Sequence, residues 1–98
     1  MSEFIIICHD KKDQFELRAA TRAEHLGYFE SAGEKGILAG PMLDEEGRPM
    51  GSMIIIEAEN LDAAKAFAAN DPYAKAGLFE ATEVRPYKLV KGSLLEKK

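Results

Sequence analysis

Three cationic side chains recur at helical spacing early in the chain. Arg18, Arg22 and His25 occupy positions i, i+4 and i+7, so in a helix they lie on one stripe. Histidine exchanges a proton near neutral pH, and two guanidinium groups beside it attract an anion. The spacing therefore indicates a site that moves a proton on a small anionic molecule. The alternative is a solvated helix flank that carries a partly buried histidine.

A carboxylate that completes such a site follows a predicted helix end, in the segment NDPYAKAG (residues 70–77). The predicted topology places the loop after the second helix beside the first helix, so Asp71 can reach His25. A carboxylate bonded to one imidazole nitrogen fixes the tautomer and makes the other nitrogen more basic. Asp71 and His25 are therefore predicted to form a general acid–base pair. The alternative is an Asx-type turn in which Asp71 and Pro72 only stop the helix.

Two further polar positions lie at strand ends. Gly51 and Ser52 open a predicted strand, where the Ser52 hydroxyl either donates to a ligand or closes the hairpin. His9 and Asp10 end the first strand, and their positions indicate no role. Two histidines in different elements and one cysteine in an apolar run do not make a zinc set, so neither a metal nor another cofactor is predicted.

The elements that must position these groups follow from hydrophobic periodicity. A β-branched apolar run at residues 3–9 predicts the first strand, and a helical pattern extends from about Asp13 to Glu34. Gly36 is the predicted end signal of this helix. The face that packs on the sheet is predicted to carry Ala19, Ala23, Leu26, Phe29 and Gly33. The cationic stripe then lies beside this apolar face.

The rest of the chain predicts three strands and one helix. The strands are expected at 37–43, 52–59 and 78–89, and a short Ala-rich helix is expected at 61–70 with Asn60 as its N-cap. Pro41 favours an edge position or a bulge for its strand, because proline cannot donate to a neighbour.

The resulting order, β-α-β-β-α-β, predicts an α+β protein of the ferredoxin-like class. Its four-stranded antiparallel sheet carries two helices on one face. One domain is expected over residues 1–90, followed by a tail at 91–98.

Composition limits the classes of function. The chain has 98 residues and a formal net charge of −4, which argues against a nucleic-acid partner because such proteins carry a basic surface. The sequence has no signal-peptide pattern, and its apolar runs are shorter than the roughly 20 residues of a membrane span. The single cysteine, Cys8, cannot form an internal disulfide and fits a reducing compartment. A cytoplasmic protein without a membrane partner is therefore expected.

The strands raise a burial problem that one chain does not solve. With both helices on one face, an antiparallel strand should alternate apolar and polar residues. The first strand instead places Ile5 and Ile7 on one side and Phe4, Ile6 and Cys8 on the other. Strands that are apolar on both sides are usually covered on both sides, so a second copy is predicted to pack its sheet against this one. This predicts a homodimer or a higher oligomer; a monomer with an exposed apolar sheet is the alternative.

Five short segments, taken in order, resemble the YciI-like (YCII-related) family. They are RAEHL, AGPM, the GS before an apolar strand, NDPYAKAG and VRPYK, and the resemblance spans about residues 3–90. The resemblance implies a ferredoxin-like fold that dimerises sheet to sheet as a dimeric α+β barrel, in agreement with the burial argument. It also implies an enzyme with a His–Asp pair in a pocket, here His25 and Asp71.

The same motifs imply further residue roles. Arg22 matches the family's arginine before the histidine, Arg18 falls on an arginine seen in relatives, and Ser52 matches the GS position. Tyr73 of the NDPY segment is predicted to join these three residues in substrate binding, whereas His9 matches no fixed family residue. The fold superfamily is also similar to muconolactone isomerases and small cofactor-free monooxygenases, which suggests small cyclic or aromatic substrates by analogy.

Three interpretations of these residues remain, two functional and one structural. The first is an enzyme that uses His25 and Asp71 for an elimination, isomerisation or hydrolysis of a small anionic organic molecule of the cyclic or aromatic kind. The second is a non-catalytic domain that binds a small ligand or serves a neighbouring enzyme. In the third, Arg22 and Asp71 form a structural ion pair that ties the helix to the NDPY loop.

Overall fold

The computed structural model describes residues 1–92, which form an antiparallel four-stranded sheet with its helices on one face. The elements in chain order are β1 (Ser2–Asp10), α1 (Phe15–Ser31), a 3₁₀ turn (Gly33–Lys35), β2 (Gly36–Leu43), β3 (Pro49–Ala58), α2 (Leu61–Ala69), α3 (Pro72–Lys75) and β4 (Phe79–Tyr87). The strand order is β2-β3-β1-β4. The predicted ferredoxin-like class is therefore confirmed. Of the predicted tail, residues 93–98 lie outside the described residues.

The core lies between the central strands and the helices. The buried residues of β1 are Phe4, Ile6 and Cys8, and those of β3 include Ile54 and Ile56. These side chains alternate along their strands and so point to one face of the sheet. Ala64 and Ala68 of α2 pack against them, and their small size lets the helix lie close to the sheet.

The inward face of α1 differs from the prediction. Ala19, Ala23 and Leu26, which were predicted to pack on the sheet, are exposed, and only Phe29 of that set packs against the core. The buried residues of this helix are Arg18, Thr21 and His25. Arg18 and His25 of the cationic stripe therefore lie on the packing face rather than beside it, whereas Arg22 is exposed. Burial of Arg18, Thr21 and His25 is tolerated because each of these side chains forms a hydrogen bond inside the protein.

The end of α1 also corrects a prediction. The helix ends at Ser31, with Ala32 as its C-cap and Gly33 in the left-handed region at φ +62°. Gly36, the predicted end signal, begins β2 instead. A side chain at Gly36 would crowd the ring of Phe29, because a Cβ there would lie 2.9 Å from Cζ of Phe29.

Three local signals are confirmed or refined. Pro41 lies in β2, which is an edge strand as predicted. Asn60 caps α2, since its side-chain oxygen accepts from the backbone N–H of Ala63 at 2.8 Å. The segment predicted only to stop this helix forms the short helix α3, with Asp71 as N-cap and Pro72 in its first turn.

The face of the sheet opposite the helices is apolar along its two central strands. Ile5 pairs with Ile55 and Ile7 pairs with Met53 in the β1–β3 register, and Leu38 of β2 lies beside Ile55. Ile55 is only 4% exposed, while the other four are half-buried. The two-sided apolar pattern that the sequence predicted is therefore present.

Within residues 1–92, no helix is long and apolar enough to cross a membrane.

Gly51 lies where no side chain fits. A Cβ there would collide with the carbonyl oxygen of Cys8 and lie 2.6 Å from Cε of Met42. Gly51→Ala is therefore expected to lower the free energy of unfolding by about 1–3 kcal/mol, as overpacking usually does. Gly40→Ala is the matched control, because a Cβ at that sheet glycine meets no atom of residues 1–92 within 4 Å. Urea denaturation of both variants checks this, and equal stabilities would contradict it.

Candidate functional site

His25 and Asp71 lie in direct contact between α1 and α3. Nδ1 of His25 is 2.9 Å from both Oδ1 and Oδ2 of Asp71. The backbone N–H of Tyr73 donates to Oδ1 of the same carboxylate, also at 2.9 Å. His25 is 6% exposed and Asp71 2%. The contact predicted from topology is present, and the carboxylate is held from two sides.

The local fold explains how the carboxylate reaches the helix. α2 ends at Ala69, and two residues later Asp71 caps the new helix α3 through the N–H of Tyr73. Pro72 suits the first turn because its φ is already near the helical value. Asp71 is therefore both the Asx-type cap and the partner of His25, and these two interpretations are compatible.

Tyr73 packs between the side chains of Arg18 and His25 of α1. Its ring stacks on the imidazole of His25, with centroids 4.2 Å apart and planes inclined by 20°. The guanidinium carbon of Arg18 lies 4.5 Å from the same ring centroid. Because these two residues are about two helical turns apart, the tyrosine ring lies between them. Tyr73 is 1% exposed.

Arg18 is anchored by its own set of partners. Nε donates to Oδ2 of Asp10 at 2.7 Å, and Nη2 donates to Oδ1 of Asp10 at 3.0 Å and to Oγ of Ser52 at 2.9 Å. Ser52 therefore accepts from Arg18, and both residues are buried. The structure brings these two predicted site residues together with Tyr73, His25 and Asp71 in one contiguous cluster.

Asp10 is the member of this cluster that sequence reasoning left without a role. It ends β1, and it follows Phe4, Ile6 and Cys8 at even spacing, which places it on the helix-facing side. This even spacing, at the end of a strand that leads directly into the loop before α1, was the feature of the sequence that could have identified Asp10. The side chains of Asp10 and Arg18 are only 7% and 6% exposed.

Electrostatics keep Arg18 charged despite its burial. Burial by itself lowers the pKa of Arg18, but the hydrogen bond and charge of Asp10, helped by Tyr73, outweigh it and raise the pKa above its usual value. Burial also raises the pKa of Tyr73, although the charges of Arg18 and Arg22 oppose this in part. The cluster therefore holds a cationic guanidinium beside a neutral phenol at physiological pH.

Arg22 lies apart from these contacts. Its side chain is exposed, and it forms no salt bridge with any residue in the range 1–92. The structural ion pair with Asp71 is therefore wrong, because the carboxylate binds His25 instead. Arg22 is still close enough for its charge to act on the pKa of Tyr73.

The His–Asp pair leaves Nε2 of His25 as its free ring nitrogen within residues 1–92. Asp71 occupies Nδ1, whereas Nε2 forms no hydrogen bond with residues 1–92 and is not sealed from solvent. Two cavities flank the cluster rather than lying on His25. One of about 430 Å³ opens at the first turn of α1 and is lined in part by His9, Asp10 and Phe15. Another of about 560 Å³ lies at the last turn of α1, beside Tyr28 and Phe67.

Metal binding has no support from the side-chain arrangement. Among the residues that the structure describes, no group of three or more His, Cys, Asp or Glu side chains is placed to hold a metal ion.

Cys8 lies in the core beside this cluster, and its thiol is protonated at neutral pH. Burial raises the pKa of Cys8 from 9.0 to about 11, and a hydrogen bond with Thr82 opposes this only in part. The thiol of an unfolded chain ionises near the lower value. Ionisation therefore stabilises only the unfolded state between these two pH values.

We accordingly expect stability to fall as the pH rises from 9 towards 11. The contribution of Cys8 to this fall is about 2–3 kcal/mol. Urea denaturation of the wild type and of Cys8→Ala across this range measures it. The variant should lose less stability with pH than the wild type does. Parallel losses in the two proteins would contradict the assignment.

The sheet order, the helices on one face and the buried His–Asp pair together define a ferredoxin-like α+β protein with a candidate acid–base site. Comparison with known sequences then gives the family. Residues 2–88 match the YCII-related domain, and the chain belongs to this family. The protein YciI of Escherichia coli is 37% identical over 95 aligned residues, which cover 89% of this chain and 97% of the relative.

Solved structures extend the comparison. The 5-chloro-2-hydroxyhydroquinone dehydrochlorinase TftG from Burkholderia phenoliruptrix, in complex with 2,5-dihydroxybenzoquinone, is 36% identical with a TM-score of 0.80. The match covers 88% of this chain and 93% of that one. An antibiotic biosynthesis monooxygenase is 12% identical with a TM-score of 0.58, over 93% of this chain and 100% of that one, and shares the fold.

Proposed function

We propose that this protein is an acid–base enzyme that acts on small, anionic, hydroxylated ring compounds of the hydroquinone or quinone kind. The observation that carries the proposal is the buried contact of His25 with Asp71, which leaves Nε2 as the only unbonded nitrogen of that ring within residues 1–92. The dehydrochlorinase relative supports the substrate class, because its identity of 36% extends over most of both chains.

The proposed chemistry follows from the geometry of the pair. The carboxylate of Asp71 accepts a hydrogen bond from Nδ1–H of His25, which fixes the tautomer and leaves a lone pair on Nε2. Nε2 then removes a proton from the substrate, and Asp71 stabilises the imidazolium that forms. In an elimination the leaving group departs with its bonding electrons and a double bond forms in the substrate. The imidazolium then releases its proton to solvent, so the net reaction is the loss of one acid molecule and needs no oxidant.

The remaining residues are proposed to bind the substrate. Arg22 is the exposed cation near Tyr73 and can meet an anionic oxygen that approaches from solvent. Tyr73 and Ser52, both buried beside Arg18, form the inner wall of the site. Arg18 was predicted to hold the anion as well. Its bonds to Asp10 instead favour a supporting role.

Ligand binding tests the proposal independently of which reaction the protein catalyses. We expect 2,5-dihydroxybenzoquinone to raise the melting temperature of the wild type, because a ligand at about 100 times its Kd adds about 2.7 kcal/mol to stability. The rise should disappear in His25→Ala and persist in His9→Ala, the control at the exposed second histidine. No shift with any hydroxylated ring compound, or equal loss in both variants, would contradict the proposal. Binding without chemical change would indicate the ligand-binding alternative.

The proposed assembly is a homodimer in which the open faces of two sheets pack together. The apolar side chains of β1 and β3 on that face support it, since a large exposed patch of this kind is unusual for a monomer. Ile7→Glu places a charge at the centre of this face, next to Glu83 of β4. We therefore expect it to convert the dimer into a 10.8 kDa monomer in light-scattering measurements.

Leu26→Glu is the control for this change. It adds the same charge at an exposed apolar residue of α1, on the helical side of the molecule. The control should leave the mass of the assembly unchanged. A wild type that is monomeric at all concentrations would contradict the proposed dimer.

A further inference from the structure

Asp10 lies outside the proposed acid–base pair but is joined to it by a continuous series of contacts. It binds the guanidinium of Arg18 through two hydrogen bonds. Arg18 packs on the ring of Tyr73, and that ring stacks on the imidazole of His25. A change at Asp10 therefore reaches His25 through two intermediate side chains.

The balance of charges in the cluster connects Asp10 to the carboxylate that binds His25. The cluster holds two carboxylates, Asp10 and Asp71, and two groups that need one, Arg18 and His25. A buried guanidinium without a carboxylate is strongly unfavourable, so Arg18 requires a partner at all times. If Asp10 did not occupy it, the remaining carboxylate of the cluster would be Asp71. Asp71 would then be drawn away from Nδ1 of His25.

We infer that Asp10 is a positioning residue of the proposed site: by holding Arg18 against Tyr73, it reserves Asp71 for His25 and fixes the imidazole tautomer. The catalytic consequence rests on the proposed function, whereas the effect on the imidazole does not. The inference also separates the two arginines of the stripe. Arg18 supports the site from within, and Arg22 faces solvent.

The hairpin between β2 and β3 offers a matched control. There Asp44 accepts from Nε of Arg48 at 3.1 Å, and the guanidinium of Arg48 lies 4.9 Å from the ring centroid of Phe15. This is the same Asp–Arg–aromatic arrangement, but the arginine side chain is 55% exposed. Asp44→Asn therefore changes the same chemistry at a place with no contact to His25.

The test reads the imidazole of His25 directly. The chain has 2 histidines, so ¹⁵N-histidine labelling gives a simple spectrum in which the shifts of Nδ1 and Nε2 report which nitrogen carries the proton. At about pH 8.5, where an unperturbed imidazole is neutral, the wild type should show a proton held on Nδ1. Asp10→Asn should convert this signal into that of a mixed population. Asp44→Asn should leave it unchanged.

Kinetics provide a second readout if the protein turns over a hydroxylated ring compound. Asp10→Asn should lower kcat by about tenfold or more, as loss of an orienting partner typically does, while KM stays within about twofold. A protein without turnover but with the predicted change in the spectrum would refute the proposed enzyme and retain the positioning role. Turnover together with an unchanged His25 tautomer in folded Asp10→Asn would support the proposed enzyme and refute the positioning role of Asp10.

Two further variants protect the test against misfolding. If Asp10→Asn does not fold, Asp10→Ser replaces it, because serine is also uncharged and again leaves the Arg18 guanidinium without its carboxylate. It should also produce the mixed signal. The double variant Asp10→Asn/Arg18→Gln removes the competing cation and should restore the wild-type tautomer. An unchanged His25 spectrum in the folded single variants, or a mixed one in the double variant, overturns the inference.

Discussion

Replacing His25 with alanine is expected to lower turnover of a hydroxylated ring substrate by about 10²–10⁴-fold, the usual contribution of a positioned general acid or base. The reason is that, within the described residues 1–92, Asp71 occupies Nδ1 and Nε2 is the imidazole nitrogen left to exchange a proton. Release of the leaving group, such as chloride from 5-chloro-2-hydroxyhydroquinone, measures the rate. Because His25 also contacts the bound ring compound in the proposed site, the loss should appear in both kcat and KM.

His9→Ala is the control for this experiment. His9 is exposed at the end of β1, where it pairs with Gly51 of β3. Its replacement should leave the rate within about twofold of the wild type, as expected for a surface position. A folded His25→Ala variant with wild-type turnover would refute the assignment of His25 as the proton-transferring group.

Asp71 is expected to show the second large effect, because it does two things at once. It accepts from Nδ1 of His25, and it caps α3 through the N–H of Tyr73. Asp71→Ala removes both contacts and leaves a buried donor unpaired, so the free energy of unfolding should fall by about 2–4 kcal/mol. Turnover should fall with it.

Asp71→Asn separates the two effects. Asparagine is as good an N-cap as aspartate, so the cap survives and stability should change by about 1 kcal/mol or less. The charge that stabilises the imidazolium is lost, and turnover should fall by about 10–100-fold or more. Denaturation and rate measurements on the two variants check this. If asparagine destabilises the protein as much as alanine does, the buried charge rather than the cap holds α3 in place.

Most of the fold was predictable because its signals are local. The β-branched runs predicted the strands, Asn60 predicted the start of α2, and Pro41 predicted an edge strand. The apolar residues on both sides of β1 also predicted a sheet with a second apolar face. Each of these signals lies within a few residues of the feature that it predicts.

The inward face of α1 was not predictable in this way. Periodicity ranks arginine and histidine as surface residues and alanine and leucine as core residues, so it chose the wrong face. Burial of His25 is made acceptable by Asp71, which is 46 residues away in sequence. Burial of Arg18 depends on Asp10 and on Ser52, which is 34 residues away. Only the folded sheet and α3 bring these groups together.

The candidate site was predicted in part for the same reason. His25 and Asp71 could be paired from the topology, since both lie on the helical face of the sheet. The role of Arg18 depends on Asp10, whose side-chain direction follows from strand parity but whose partner does not. The end of α1 was misplaced because Gly33 and Gly36 lie three residues apart. Only the backbone angles distinguish the one that reverses the helix.

A titration of ¹⁵N-histidine-labelled protein with 2,5-dihydroxybenzoquinone tests the central claim most directly. The two histidines of the chain give separate signals, and His9 is the internal reference. If His25 is the acid–base group, Nε2 of His25 should shift on binding while Nδ1 keeps the proton that it shares with Asp71 and His9 remains unchanged. Binding that leaves Nε2 of His25 unmoved would contradict the proposed site, whatever the affinity of the ligand.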